Sequence, residues 1–388
     1  MRNFYRVFDL MAKGLRNLPW ITAYGWQRLV HKSLRARPVH LIIALADHFE
    51  PSYVPDVPSG TCAEVAEQER RIQWWCREYP KMADPFRDHD GRPFRHTYFY
   101  PSEQYLKPVI ERLAEHCRAG WGEIEIQLHH GMNAPDTAEN TRRVILEFRD
   151  ALAGHGCLSR LDDTGPPRYA FVHGNWALAN SAGGRWCGVD NEIQILAETG
   201  CYADFTLPSA PSPAQVGKIN ALYECALPLN QRAPHRRGRD LEVGRRPKVF
   251  PLIIQGPLQL RFTNNPGGWL LPRIENGDLS TANPPTIHRL SLWRDAAVTV
   301  RGRPQWVFIK LHCHGMDLYD EAAMLGEPIR CFLRELIEGS KEGSEYQLHF
   351  VTAREMVNMV LAACDGQGGE PSAYRDYRLR LSTCVRTT

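Results

Sequence analysis

The stretch "VHLIIALADHFEP", Val39 to Pro51, is an apolar run closed by an acid and an imidazole. A short continuous apolar run of this kind reads as a strand buried on both faces, as in a parallel sheet. Asp47 and His48 stand at its end. Polar groups there must find partners or be used in chemistry.

Similar runs recur along the chain: "HTYFY" (96–100), "EIEIQLH" (123–129), "RYAFVH" (168–173), "YADFTLP" (202–208), "VFPLIIQG" (249–256), "LQLRF" (258–262), "QWVFIKLH" (305–312) and "YQLHFVT" (346–352). Helical periodicity fills many of the gaps, over 102–118, 137–154, 191–198, 319–338 and 353–363. Strands alternating with helices predict a mostly parallel α/β architecture. The number of such units favours a distorted (β/α)7-type barrel, as a single domain, over an open sheet. No GxGxxG or P-loop marks a nucleotide-binding sheet. The expected divisions are an N-terminal helical extension (1–37), a barrel (38–364) and a C-terminal tail (365–388), with 365–378 flexible. "FTNNPGGWLLP" (262–272) reads as a turn or hairpin, and the basic segment 232–248 as a solvated loop.

Composition sets the broad class. The chain has 388 residues, 43% hydrophobic and 23% charged, which suits a soluble globular protein with an ample core. A net charge of +3 is too small to imply nucleic acid. The 11 cysteines have no CxxC spacing and an odd count. Unpaired thiols suggest a reducing compartment, so the expected location is cytoplasmic. The N-terminal segment does not read as a signal peptide. Phe4, Val7, Phe8 and Met11 recur at helical spacing among basic residues. They predict a helix packed on its own domain, with membrane-surface contact as the alternative reading. No apolar stretch reaches the roughly 18 residues of a membrane span.

In an α/β barrel, residues at the C-terminal ends of strands gather on one face, where chemistry is done. Here those ends carry Asp47 and His48, then His129 and His130, then His173, Asn175 and Trp176, then Asp204, and finally His312 and His314. Several histidines with an aspartate suit zinc or another borderline divalent metal. A metal with an open position, a free carboxylate and an opposed histidine together hydrolyse an amide or ester.

These residues and their order resemble the polysaccharide deacetylases of the NodB-homology type, carbohydrate esterase family 4, in a divergent branch. "LADHFEP" falls where that family has a strand ending T-F-D-D-G. The resemblance implies that Asp47 is the catalytic base and His48 a metal ligand. "EIQLHHGMN" puts His129 at the first histidine of the second motif, with Asn133 where the second histidine stands. His130, His314 or Asp136 would then complete the metal shell. "VHGNW" falls on the third motif, without its arginine, and implies that His173, Asn175 and Trp176 line the substrate. Asp204 falls near the fourth motif. Tyr100 is a further candidate at the cleft rim. "FIKLHCHG" puts His312 in the place of the acid histidine. The resemblance spans about residues 38–352. It implies a zinc-dependent enzyme that deacetylates an N-acetylated sugar, polysaccharide or glycan precursor. Two alternatives stand beside it: a non-catalytic binder of glycan or of a partner protein, and a glycoside hydrolase using two of Asp47, Glu50, Glu192 and Asp204. The H-x-H of "HCH" (312–314) is also an amidohydrolase feature, but there it lies on the first strand.

Overall fold

The computed structural model describes residues 17–29, 39–56, 61–264, 270–341 and 344–381. Residues 17–29 are helical (α1). There follow β1 (Val39–His48), α2 (Val65–Ala83), β2 (His96–Pro101), α3 (Lys107–His116), β3 (Gly122–Leu128), α4 (Ala138–Gly154), β4 (Ser159–Leu161), β5 (Thr164–His173), α5 (Glu192–Thr199) and β6 (Cys201–Asp204). Next come β7 (Leu222–Cys225), β8 (Gly238–Asp240), β9 (Leu252–Ile254), β10 (Gln259–Asn264), β11 (Leu270–Glu275), β12 (Asp278–Leu279) and α6 (Ile287–Asp295). The chain continues with β13 (Trp306–Cys313), α7 (Glu321–Leu325), α8 (Glu327–Glu338), β14 (Tyr346–Val351), α9 (Ala353–Cys364) and β15 (Leu379–Leu381).

The fold is mixed α/β around a curled sheet that forms a half-barrel. Its strands run in the order β12-β13-β1-β2-β3-β5-β6-β9-β7-β8. β13 through β6 and on to β9 are parallel, and β7 and β8 add an antiparallel edge. β1 is central. It pairs with β13 along one side, and with β14 and then β2 along the other.

Side-chain alternation divides β1 between two cores. Leu41, Ile43 and Leu45 join the cluster under the outer helices, with Trp75, Leu113 and Phe332. Ile42, Ala44 and Ala46 join the inner cluster, with Phe308, Val172 and Met356. The small inner residues leave room for α9, every residue of which is buried. A helix covered all round needs no polar face, and "MVNMVLAAC" supplies almost none. A capping box between Thr352 and Glu355 starts it.

Several element boundaries depart from the periodicity. Ser102 opens a short 3-10 turn, and α3 begins only at Lys107, with Pro108 in its first turn. Gly326 and Pro328 split the expected helix 319–338 into α7 and α8. The expected hairpin is present as β10–β11, with its turn outside the described residues. The segment 365–381 is exposed over 366–370 but anchored further on. Arg375 is buried against the Phe350 carbonyl at 2.8 Å and Glu355 at 3.1 Å, and β15 pairs with β4. The basic segment is also tied down. Arg232 and Arg236 donate to the carbonyls of Asn180 and Ser181, and Arg239 pairs with Glu224. Trp20 of α1 is buried with Ala210, Ile219 and Leu258. Phe4, Val7, Phe8 and Met11 lie outside the described residues. No helix among the described residues is long and apolar enough to cross a membrane.

Candidate functional site

Successive side chains on a strand point to opposite faces, and this separates Asp47 from His48. Asp47 follows Leu45 to the helix side and is fully buried. Its Oδ2 lies 2.8 Å from His96 Nδ1, and its Oδ1 accepts the Gly315 N–H at 2.7 Å. The His96 ring packs against Trp75 and Tyr79. The residue expected as catalytic base is thus enclosed on the face away from His48. Of the same motif, Ala46 and His48 belong to the inner face, while Leu45 and Phe49 pack with Asp47 on the helix side.

That inner face holds a polar mouth at the C-terminal ends of β1, β3 and β13. The His48 ring centroid is 4.9 Å from that of His314 and 6.2 Å from that of Trp176. Burial, and then the charges of His314, His312, Lys310 and His129, push the His48 pKa well below the usual imidazole range. His312 is lowered to about 3, first by burial and despite Asp278. Both rings are therefore neutral near pH 7. Both keep a buried Nδ1 without a hydrogen-bond partner.

His129 behaves differently. Its Nδ1 lies 2.7 Å from Glu103 Oε1, and its Nε2 lies 3.3 Å from Glu50 Oε1. Burial opposes its charge, but the two carboxylates outweigh it and raise the pKa to about 10. Glu50 answers in kind. Burial would raise its pKa, yet His129 draws it below the ordinary value, so it is ionised. Gln127 also donates to Glu50. The His129 ring sits against Gly174, where any Cβ would run into it. The glycine of "VHGNW" thus makes room for the histidine of "QLHHG".

Deeper in the same interior, burial raises Asp204 to about 7 even though Thr206 donates to it twice. Burial lowers Lys310 to about 7, with Asp204 opposing.

Other candidates lie elsewhere. Tyr100 faces the helix layer, its ring near Phe148 and its hydroxyl on the Gln104 carbonyl at 3.0 Å. It does not line the mouth. His130 and His173 also turn outward, and they meet each other rather than His129. Their Nε2 atoms are 3.1 Å apart, and His130 Nε2 is 2.9 Å from Glu192 Oε1. Asp136 binds His130 Nδ1 at 3.0 Å. His173, expected against substrate, is fully buried. Asn133 is exposed in the following loop. Asn175 and Trp176 are half-buried near the mouth, and Asn175 contacts Met132. Trp176 has a left-handed backbone, with φ of 57°. This is uncommon for a bulky residue and is a form of strain that gathers at functional sites. Sequence reading weighed Glu50 only for glycoside cleavage and did not single out Glu103. The strand pattern could not reveal either, because Glu50 lies in the loop after β1 and Glu103 in the 3-10 turn after β2, and both meet His129 only through the fold.

Among the described residues, three groups bring metal-ligating atoms within 4.8 Å of one another. They are His130, His173, Cys187 and Glu192; Asp47, His96 and Cys313; and His40, His349 and Glu370. Buried His, Cys and Glu side chains so arranged could hold a metal ion. No family model matches the sequence, and no curated protein matches it.

Proposed function

We propose that the chain is a divalent-metal-dependent hydrolase that removes an acyl group from an amine. An N-acetylated sugar or glycan is the substrate class to test first, because the order of motifs resembles the NodB-type deacetylases. One observation carries the reading. Two neutral imidazoles with unpartnered nitrogens, His48 and His312, meet His314, His129 and an ionised Glu50 at one mouth. Neutral imidazole is the ligating form, and buried nitrogens without partners are costly unless something binds them.

His48, His129 and His314 would hold the ion, with a change of rotamer, since their donors are not among the groups already within 4.8 Å. Bound there, a zinc-like ion would polarise the acyl carbonyl and acidify a water. His129 would give up its Nε2 proton to ligate, while Glu103 would keep Nδ1–H oriented. Glu50, ionised and steadied by Gln127, takes the proton from the attacking water. His312 passes on to the leaving amine the proton that Glu50 took from the water, so that both groups return to their starting states. Asp278 Oδ1, 3.9 Å from His312 Nε2, stabilises the cation formed in passing. Trp176 offers an aromatic face to a sugar ring.

The test is acetate release from N-acetylated chitooligosaccharides by the purified protein supplied with zinc or cobalt. Metal-dependent release that E50Q abolishes supports the reading. Binding of the oligosaccharide without turnover, under every metal condition, would replace it with the non-catalytic alternative.

A further inference from the structure

The geometry points to a second, closed metal site, formed by His130, His173, Cys187 and Glu192, which takes a zinc-class ion and pins the loop after β3 to the start of α5. It is separate from the mouth and does not rest on its chemistry. All four residues are buried, so no position is open to substrate. That is the mark of a structural site rather than a catalytic one. Two imidazole Nε2 atoms pointing at each other across 3.1 Å, with a carboxylate oxygen at 2.9 Å from one of them, form a convergent donor set. The thiol completes a mixed N, S and O shell that suits zinc.

The outer contacts fit the same role. His130 Nδ1 is held by Asp136, which Thr141 in turn fixes at 2.8 Å. The far oxygen of Glu192 accepts the Ala179 N–H at 2.6 Å. The Val189 N–H lies 3.4 Å from Cys187 Sγ, where it would steady a thiolate. Ligand orientation by carboxylates and backbone groups is the usual support of a metal centre. One contact must change. The Asn175 N–H approaches His173 Nδ1 at 3.2 Å, and that nitrogen carries the ring proton once Nε2 ligates. Loading also releases the His130 Nε2 proton and the Cys187 thiol proton to solvent. The two loops are already in close contact, because a Cβ on Gly131 would strike the Cys187 backbone. An ion there would fix how the His129–His130 loop sits.

Cobalt substitution of the purified full chain tests this, because a thiolate-to-cobalt charge-transfer band reports sulfur ligation. The mouth contains no cysteine, so the band is blind to success or failure there. The expected result is a near-ultraviolet band in the wild type that is lost in C187S and kept in C313S, with about one equivalent of metal lost per chain in C187S. C313S is the control for the buried cluster of Asp47, His96 and Cys313. Chelation of the wild type should lower the melting temperature, a measurement that needs no variant to fold. A wild-type protein without the band, or a band that disappears in C313S and persists in C187S, overturns the site. In that case a proton shared between His130 and Glu192 occupies it.

Discussion

Asp47 Oδ2 lies 2.8 Å from His96 Nδ1 on the helix-facing side of β1, while His48, the next residue, faces the opposite, inner side of the half-barrel. The pair that looked like one functional unit is therefore two. Asp47 ties β1 to β2 and, through the Gly315 N–H, to the loop after β13. D47N keeps an acceptor but loses the charge beside His96. A loss of about 1–3 kcal/mol of stability is expected, with turnover per folded molecule largely kept. Urea denaturation and initial rates on the same preparation check this. An unchanged stability with a rate loss of about 100-fold would return Asp47 to the chemistry.

In the proposed reaction, Glu50 takes the role of base that Asp47 vacates. E50Q removes the base while leaving a side chain that can still receive Gln127. A fall in kcat of about 10²–10⁴ is expected, with the melting temperature nearly unchanged. The same variant removes one of the two carboxylates that hold the His129 pKa at about 10. The imidazole pKa, followed by NMR in the metal-free protein, should therefore fall. A His129 pKa that stays in place would show Glu103 alone to be sufficient.

The strand ends were legible in the sequence because apolar runs closed by histidines are visible without a structure. Asp47, His48, His129, His173, Asp204 and His312 all stand at or near such ends. Which face each occupies was not legible. A parallel strand is apolar on both sides, so "VHLIIALA" has no polar alternation to tell inside from outside. That is why Asp47, Tyr100, His130 and His173 were expected in a cleft they turn away from. Glu50 was weighed only for glycoside cleavage, and Glu103 was not singled out, for another reason. They approach His129 across 79 and 26 residues of chain respectively, and neither stands at a fixed spacing from it. The anchoring of 365–381 depends on Arg375 reaching Phe350 and Glu355, contacts that a polar segment opening on three glycines does not advertise.

Gly174 is a position where a single methyl group should separate activity from folding. A Cβ there runs into the His129 ring, which is partly open at the mouth and can swing away. G174A should lower turnover by at least about tenfold, because catalytic groups misplaced by about 1 Å lose rate steeply. It should cost only about 1–2 kcal/mol of stability as an overpacked position. Rates and thermal melts on the two proteins decide it. A G174A protein with wild-type rates would place His129 outside the chemistry.

The barrel interior also predicts how stability responds to pH. Burial raises the Glu125 carboxyl to about 8 from its ordinary 4.5, although the Tyr202 hydroxyl and the Ala170 N–H both donate to it. Between those two values the folded chain keeps a proton that the unfolded chain releases. Stability from this group is therefore complete below the unfolded value. It declines as pH rises, by up to about 1.4 kcal/mol per unit, and the loss levels off above the folded value. In E125Q the side chain stays neutral throughout and has no proton to lose. Denaturation midpoints at several pH values between 5 and 8 should therefore fall more steeply for the wild type than for E125Q, whatever the histidines add to both. Parallel slopes would mean that Glu125 is already ionised inside the fold, with Tyr202 and the Ala170 amide compensating for its burial.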